Sequence, residues 1–242
     1  MAEAATGKHK TLSARWSFHA TMALVIATIV VAGFGPTYAA SLAPPGLPFW
    51  VHLHGAAMAA WIVLFAIQVA LIGQGSRLTH RRLGLASIGL VALIVPLGVA
   101  TNLLAIHRGA TPPFFTPAGM LAADVCDVLL FAGLYIWALR LRSRPEWHKR
   151  LLLCASILLT WPAIGRLAPL HQFGLTMIIP LSVAILILLA MAGPLFDLAR
   201  RRSVHPAYLW GVGLIIAVQP LHMIVAATPF VRSFADSLLP TS

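Results

Sequence analysis

Apolar residues in this chain run in stretches too long and too continuous for the strands or surface helices of a soluble domain. Short, turn-rich breaks separate them. Seven runs stand out, at 18–39, 50–73, 83–106, 118–140, 149–168, 173–196 and 207–229. Each can cross about 30 Å of hydrocarbon at about 1.5 Å of helical rise per residue. The pattern therefore predicts an all-α integral membrane bundle of seven transmembrane helices. The breaks include Leu42-Ala-Pro-Pro-Gly-Leu-Pro48, Gly73-Gln-Gly-Ser76, Thr111-Pro-Pro113 and the arginine run Arg200-Arg-Arg202, all of turn or interface character. No shift in composition marks a second domain, so 1–242 reads as one transmembrane domain with a short cytoplasmic tail over 1–17.

The first run also has the outline of a signal peptide, with basic residues before it and the small-residue stretch Tyr38-Ala-Ala-Ser41 at its end. Its apolar core exceeds the roughly 7–15 residues of a signal h-region, and it is read as a retained span. Pro96, Pro162, Pro180 and Pro220 fall inside predicted spans, where each removes a backbone donor and favours a kink.

Composition agrees with this pattern. The chain is 60% hydrophobic and 10% charged with mean hydropathy +0.89, against roughly 25% charged residues in a soluble domain. Its formal charge of +11 is explained by topology, with no need of nucleic acid. With the N-terminus inside, Lys8, Lys10, Arg15, Arg77, Arg81, Arg82, Arg140, Arg142, Arg144, Lys149, Arg150, Arg200, Arg201 and Arg202 lie on the inner side. Only Arg108, Arg166 and Arg232 lie outside. This asymmetry is that of a bacterial inner-membrane protein with its C-terminus outside. Cys126 and Cys154 both fall within predicted spans and provide no disulfide framework.

The polar residues inside these spans are the candidate chemistry. Asp124 and Asp127, one turn apart on one helix face, read as the only acids within the apolar runs. Each costs about 2.5–3.5 kcal/mol near a bilayer centre unless neutralised, paired or hydrated. His54, Asn102 and His222 fall at similar depth in the outer half, with His52, His107, Arg166, His171 and Gln219 as a rim. No comparable cluster appears in the inner half, where Gln68 is nearly alone. At the inner interface His80, His148 and His205 each precede an outward-running helix and sit among arginines. They anchor helices against anionic headgroups or, alternatively, build an inner metal or haem site. Trp50, Trp147 and Trp210 fit interfacial belts.

The segments Val51-His-Leu-His-Gly-Ala56, Leu78-Thr-His-Arg-Arg-Leu-Gly84, Trp161-Pro-Ala-Ile-Gly-Arg166 and His205-Pro-Ala-Tyr-Leu-Trp-Gly211 resemble a group of uncharacterised multi-span membrane proteins of proteobacteria. That resemblance implies one module and no activity. More distantly, the chain is similar to the seven-span superfamily of alkaline ceramidases and progestin-receptor-like proteins. Their zinc site takes histidines and an aspartate from several helices, including two histidines four apart on the last span. Here the last span has His222 with Gln219 three residues earlier, while position 218 is Val and 226 is Ala.

Three functions follow from this residue set. In the first, His54, Asp127 and His222 hold zinc or non-haem iron, Asp124 serves as general base or fourth ligand, and Arg166 holds an anionic group of a lipid-like substrate entering from the outer leaflet. In the second, His54 and His222 ligate a b-type haem whose propionates meet Arg166. In the third, the protein is a proton-coupled transporter, sensor or assembly partner using the aspartate pair. All three expect membrane lipids as surroundings and an outward-opening hydrated pocket.

Overall fold

The computed structural model describes residues 17–41 and 46–239. Lys8, Lys10 and Arg15, which weigh on the predicted orientation, and residues 42–45 of the first connection lie outside this range. Among the described residues the chain forms helices only, in the order α1 (Phe18–Ser41), α2 (Phe49–Gly73), α3 (Arg77–His107), α4 (Pro117–Arg140), α5 (Pro145–Leu158), α6 (Trp161–Ile164), α7 (Ala168–His171), α8 (Leu175–Arg201), α9 (Pro206–Ala227) and α10 (Pro229–Ser237). Six of them, α1, α2, α3, α4, α8 and α9, are long and apolar enough to cross a membrane. The protein is an integral membrane helical bundle.

The predicted run 149–168 takes a different form. Its helix, α5, ends at Leu158, and a turn at Leu159–Thr160 leads into the single turn α6. Pro162 explains the break, because it has no N–H to offer the Leu158 carbonyl and its ring crowds that carbonyl. Helical bonding resumes when the Ile164 amide donates to Thr160 O at 2.9 Å. Leu151, Leu153, Cys154, Ala155, Ser156, Ile157 and Leu158 are all buried, as expected of a helix enclosed on every side. It packs against α4, α9, α8 and α1.

Close approach around this centre depends on glycine at two points. A Cβ on Gly33 would lie 2.2 Å from Ala163 O, so α1 rides directly on the backbone of α6. One on Gly193 would lie 2.4 Å from Tyr208 Cε1, which brings α8 against α9. Elsewhere the helices meet through aromatic edges. Trp61 of α2 meets Phe131 and Tyr135 of α4 at 5.0 and 5.6 Å, and Tyr135 shares a 2.6 Å hydrogen bond with Ser87 of α3.

The inner half is not apolar, contrary to the sequence expectation, and the expectation that Asp124 and Asp127 are the only acids within the spans is corrected as well. Helix α8 continues past residue 196 and carries Asp197 into the bundle at 1% exposure, facing Arg150 at 2%. Arg150 donates from Nε to Asp197 Oδ2 at 3.0 Å and from Nη2 to Oδ1 at 2.7 Å, the paired geometry in which a guanidinium binds a carboxylate best. Its Nη1 donates to Glu146 O at 3.0 Å and to Glu146 Oε2 at 2.5 Å, and the cation lies 5.2 Å from the centre of the Tyr208 ring. The His205 amide donates to Asp197 Oδ2 at 3.3 Å. Glu146 also takes Lys149 at 2.6 Å and Arg201 at 3.0 Å. One ionic knot thus ties the start of α5 to the end of α8 and the start of α9.

Burial would raise the Glu146 carboxyl, but the hydrogen bonds and charges of Lys149 and Arg150 outweigh it and hold the group at about 2.

The amphipathic α10 was not anticipated. Thr228 caps it, accepting from the Val231 amide at 3.4 Å, with Pro229 in the first turn. Ala235, fully buried, packs on Ile106, Ala118 and Leu121, with Val231 and Leu238 alongside.

Replacing Asp197 by Ala leaves the buried Arg150 guanidinium with Glu146 alone and its Nε and Nη2 donors unpaired, and should cost about 3–5 kcal/mol of unfolding free energy. A double variant with Arg150→Met and Asp197→Leu should recover most of that loss in the same unfolding measurement. Because the folded-state value of Glu146 lies below its ordinary 4.5, its stabilising contribution is complete above that value and disappears as pH falls toward 2. Thermal unfolding midpoints followed over this window should fall more steeply for the parent than for Glu146→Gln.

Candidate functional site

Helix α4 carries the outer polar layer. Thr116 caps it by accepting from the Gly119 amide at 3.0 Å, and Pro117 opens the first turn. This start sets the register that turns Asp124 and Asp127 into the bundle.

Asp124 accepts a hydrogen bond from Asn102 Nδ2 of α3. The same nitrogen reaches Met120 O at 3.4 Å, so both neighbours are acceptors and the amide orientation follows from them. Asn102 is 2% exposed, and its Oδ1 has no partner among the described residues. One turn further along α4, Asp127 Oδ1 meets His222 Nε2 of α9 at 3.0 Å. Their side chains are 13% and 11% exposed. Each aspartate therefore has its own polar partner on a different helix.

Two further predicted residues approach without bonding to these pairs. His54 of α2 packs at Gly98 of α3, where a Cβ would lie 3.9 Å from the imidazole Cε1. Gly98 is one turn from Asn102. Arg166, just beyond α6, donates from Nη1 to Pro162 O at 2.7 Å and lies 4.7 Å from the centre of the Phe34 ring. Its charge acts on both His54 and Asp124.

The rim residues have separate partners. His52 bonds Tyr38 Oη at 3.1 Å and Leu47 O at 3.2 Å. His107 Nδ1 bonds Leu238 O at 2.9 Å, fastening the end of α10 to α3. Gln219 donates to Ile215 O at 3.0 Å within its own helix, and His171 is exposed. At the inner end the three histidines divide. His80 and His148 meet edge to face at 6.4 Å, whereas His205 meets Trp147 edge to face at 5.4 Å and caps α9 by accepting from the Ala207 amide.

Among the described residues no three His, Cys, Asp or Glu side chains gather closely enough to hold a metal ion. Of the proposed ligands, Asp127 and His222 turn their donor atoms on each other, and His54 stands apart against α3. Two open grooves lie along α1, and neither is lined by a member of the outer layer. The residues present are suited to exchanging protons, since an imidazole and a carboxylate in hydrogen-bond contact can carry a proton on either partner.

Sequence reading missed Arg150 and Asp197 as a buried pair. The only signal was a lone acid four residues before Arg201 at a predicted span end, a place where charges are normally solvated.

Replacing Asn102 by Leu leaves the Asp124 carboxylate without its donor and should cost about 1–3 kcal/mol in unfolding free energy. Adding Asp124→Leu to that variant should restore most of the loss.

Compared with protein-family models, curated proteins and solved structures, the chain gives no match in any of the three.

Proposed function

We propose that this chain is a seven-crossing protein of a bacterial inner membrane, N-terminus inside and C-terminus outside. Its outer polar layer exchanges protons in the service of transport or sensing. The segment from α5 through Gly165 counts as the seventh crossing. It begins beside Asp197 near the end of α8, and Arg166, just after it, reaches Phe34 in the last third of α1. Its roughly 20 residues span about 30 Å at about 1.5 Å per residue. The excess of arginine at the ends joined by the α2–α3, α4–α5 and α8–α9 turns supports the orientation.

The Asp127–His222 contact at 3.0 Å carries the functional reading. It is a proton-sharing pair held largely away from solvent, with a second carboxylate, Asp124, one turn away and an arginine charge acting on that neighbour. A metal centre would need the His222 Nε2 or the Asp127 Oδ1 to leave its partner and His54 to join them. A haem ligated by His54 and His222 would make the same demand on His222. The proton-exchange reading needs no such rearrangement.

Infrared difference spectra of the reconstituted protein between acid and alkaline pH test it. Linked carboxyl and imidazole signals are expected, both lost in Asp127→Asn. An Asp127→Asn spectrum identical to the parent's overturns the reading. Near-stoichiometric zinc or iron on elemental analysis, or a Soret band, would replace it with the metal or haem alternative.

A further inference from the structure

A single residue, Thr228, separates the end of α9 from the start of α10, so the short helix turns on one non-helical joint. Its bound edge is narrow. Val231, Ala235 and Leu238 recur at helical spacing on one face, and Ala235, fully buried, meets Ile106 of α3 and Ala118 and Leu121 of α4. Two side-chain hydrogen bonds tie the helix to the bundle. His107 Nδ1 donates to Leu238 O at 2.9 Å, the imidazole being the donor because a carbonyl only accepts, and Arg232 Nε donates to Ala226 O at 3.4 Å. The other flank of α10 is open, with Phe230 and Phe234 exposed and stacked on each other.

Beneath α10 lies the polar layer. Ile106 follows Asn102 by four residues on α3, and Leu121 precedes Asp124 by three on α4, so the footprint of α10 sits one helical turn above the Asn102–Asp124 hydrogen bond. Leu103 and Val125, each the next residue after a member of that pair, pack against the same cluster. Under this cover Asn102 is only 2% exposed, although it lies within two turns of the end of α3. The cover is also separable. Its apolar cluster shares no residue with the main core, so α10 can leave its seat without disturbing the packing of the long helices. A segment with so few buried apolar contacts opens at a small fraction of the free energy of global unfolding.

We infer that α10 is a hinged lid over the polar layer. Closed, as in this structure, it keeps bulk water from Asn102 and Asp124; swung out about Thr228, it admits water and protons to them. The inference rests on the proton-exchange reading and names its control, since Asp124 lies one turn from the Asp127–His222 pair.

Two measurements on the full chain in detergent test the lid. In the first, Cys126 is replaced by Ala and Leu121 by Cys, Cys154 staying buried in the core, and modification by a charged, water-soluble thiosulfonate is timed. Leu121 is 7% exposed beneath α10, so the parent reaction should be slow. In the second, infrared spectra at acid pH time the shift of the carboxyl signal assigned by Asp124→Asn after transfer from H2O to D2O. Ala235→Asp sets a carboxylate against an apolar seat and should speed both at least about tenfold, because the open population sets each rate. His107→Ala removes only the bond to Leu238 O and should speed both about two- to tenfold; it carries the test should Ala235→Asp fail to fold. Modification that is already fast in the parent, or no faster in the folded α10 variants, overturns the lid. Faster modification with an unchanged Asp124 rate overturns it as well. If Asp127→Asn leaves the acid–alkaline spectrum unchanged while the α10 variants still speed both rates, the lid stands and only the proton-exchange reading falls.

Discussion

A guanidinium 2% exposed and a carboxylate 1% exposed cannot be parted without leaving a bare charge in an apolar interior, and the arrangement of the central helices follows from that constraint. Arg150 projects from the second turn of α5 and Asp197 from the last turns of α8, with the His205 amide closing the same carboxylate from the start of α9. Attraction between buried ions is often no stronger than good apolar packing. What the pair supplies is register, because only one sliding position of α5 against α8 brings the two groups into twofold contact. The cation lies against the Tyr208 ring, and the missing side chain of Gly193 lets that ring fit against α8.

With α5 held at one end, its other end determines what the opposite half of the bundle can present. The helix stops where Pro162 withdraws a donor, and the chain then turns Arg166 outward over Phe34. This places a cation on the flank of a layer otherwise made of two aspartates, an asparagine and two histidines. Helix α4 joins the two halves. Its buried face packs on α5 and α9 along most of its length, and its first turns direct Asp124 and Asp127 to α3 and α9 respectively. The polar groups of the two halves differ in kind: the inner ones form ion pairs satisfied several times over, whereas the outer ones are an amide–carboxylate contact at Asn102 and Asp124 and one contact, Asp127 with His222, in which both groups can gain or lose a proton.

Much of the outer layer was legible in the chain. Asn102, Asp124, Asp127 and His222 interrupt long apolar runs, and depth counted at 3.6 residues per turn places them at one level, which is where they pair. Pairing itself was not legible. Whether Asp127 turns to His222, to His54 or to Arg166 depends on helix rotation, and an almost uniformly apolar span has too little amphipathicity to reveal its rotation. The inner knot was hidden for a related reason, since Arg150 and Asp197 both sit at predicted span ends among other charges. Helix α10 was obscured because its short pattern, Val231, Ala235 and Leu238, follows directly on a span and looks like its continuation.

The sequence by itself determined that the chain lies in a membrane, roughly where each crossing begins and ends, and which few polar residues must be accommodated there. Those properties depend on the local cost of exposing backbone and charge to hydrocarbon, which each segment meets alone. Only the tertiary structure decided which polar groups became partners, that α5 is the enclosed helix, and that Arg166 lies over the Phe34 ring. These depend on contacts between helices far apart in the chain, where a glycine such as Gly33 or Gly193 permits an approach that hydropathy does not record.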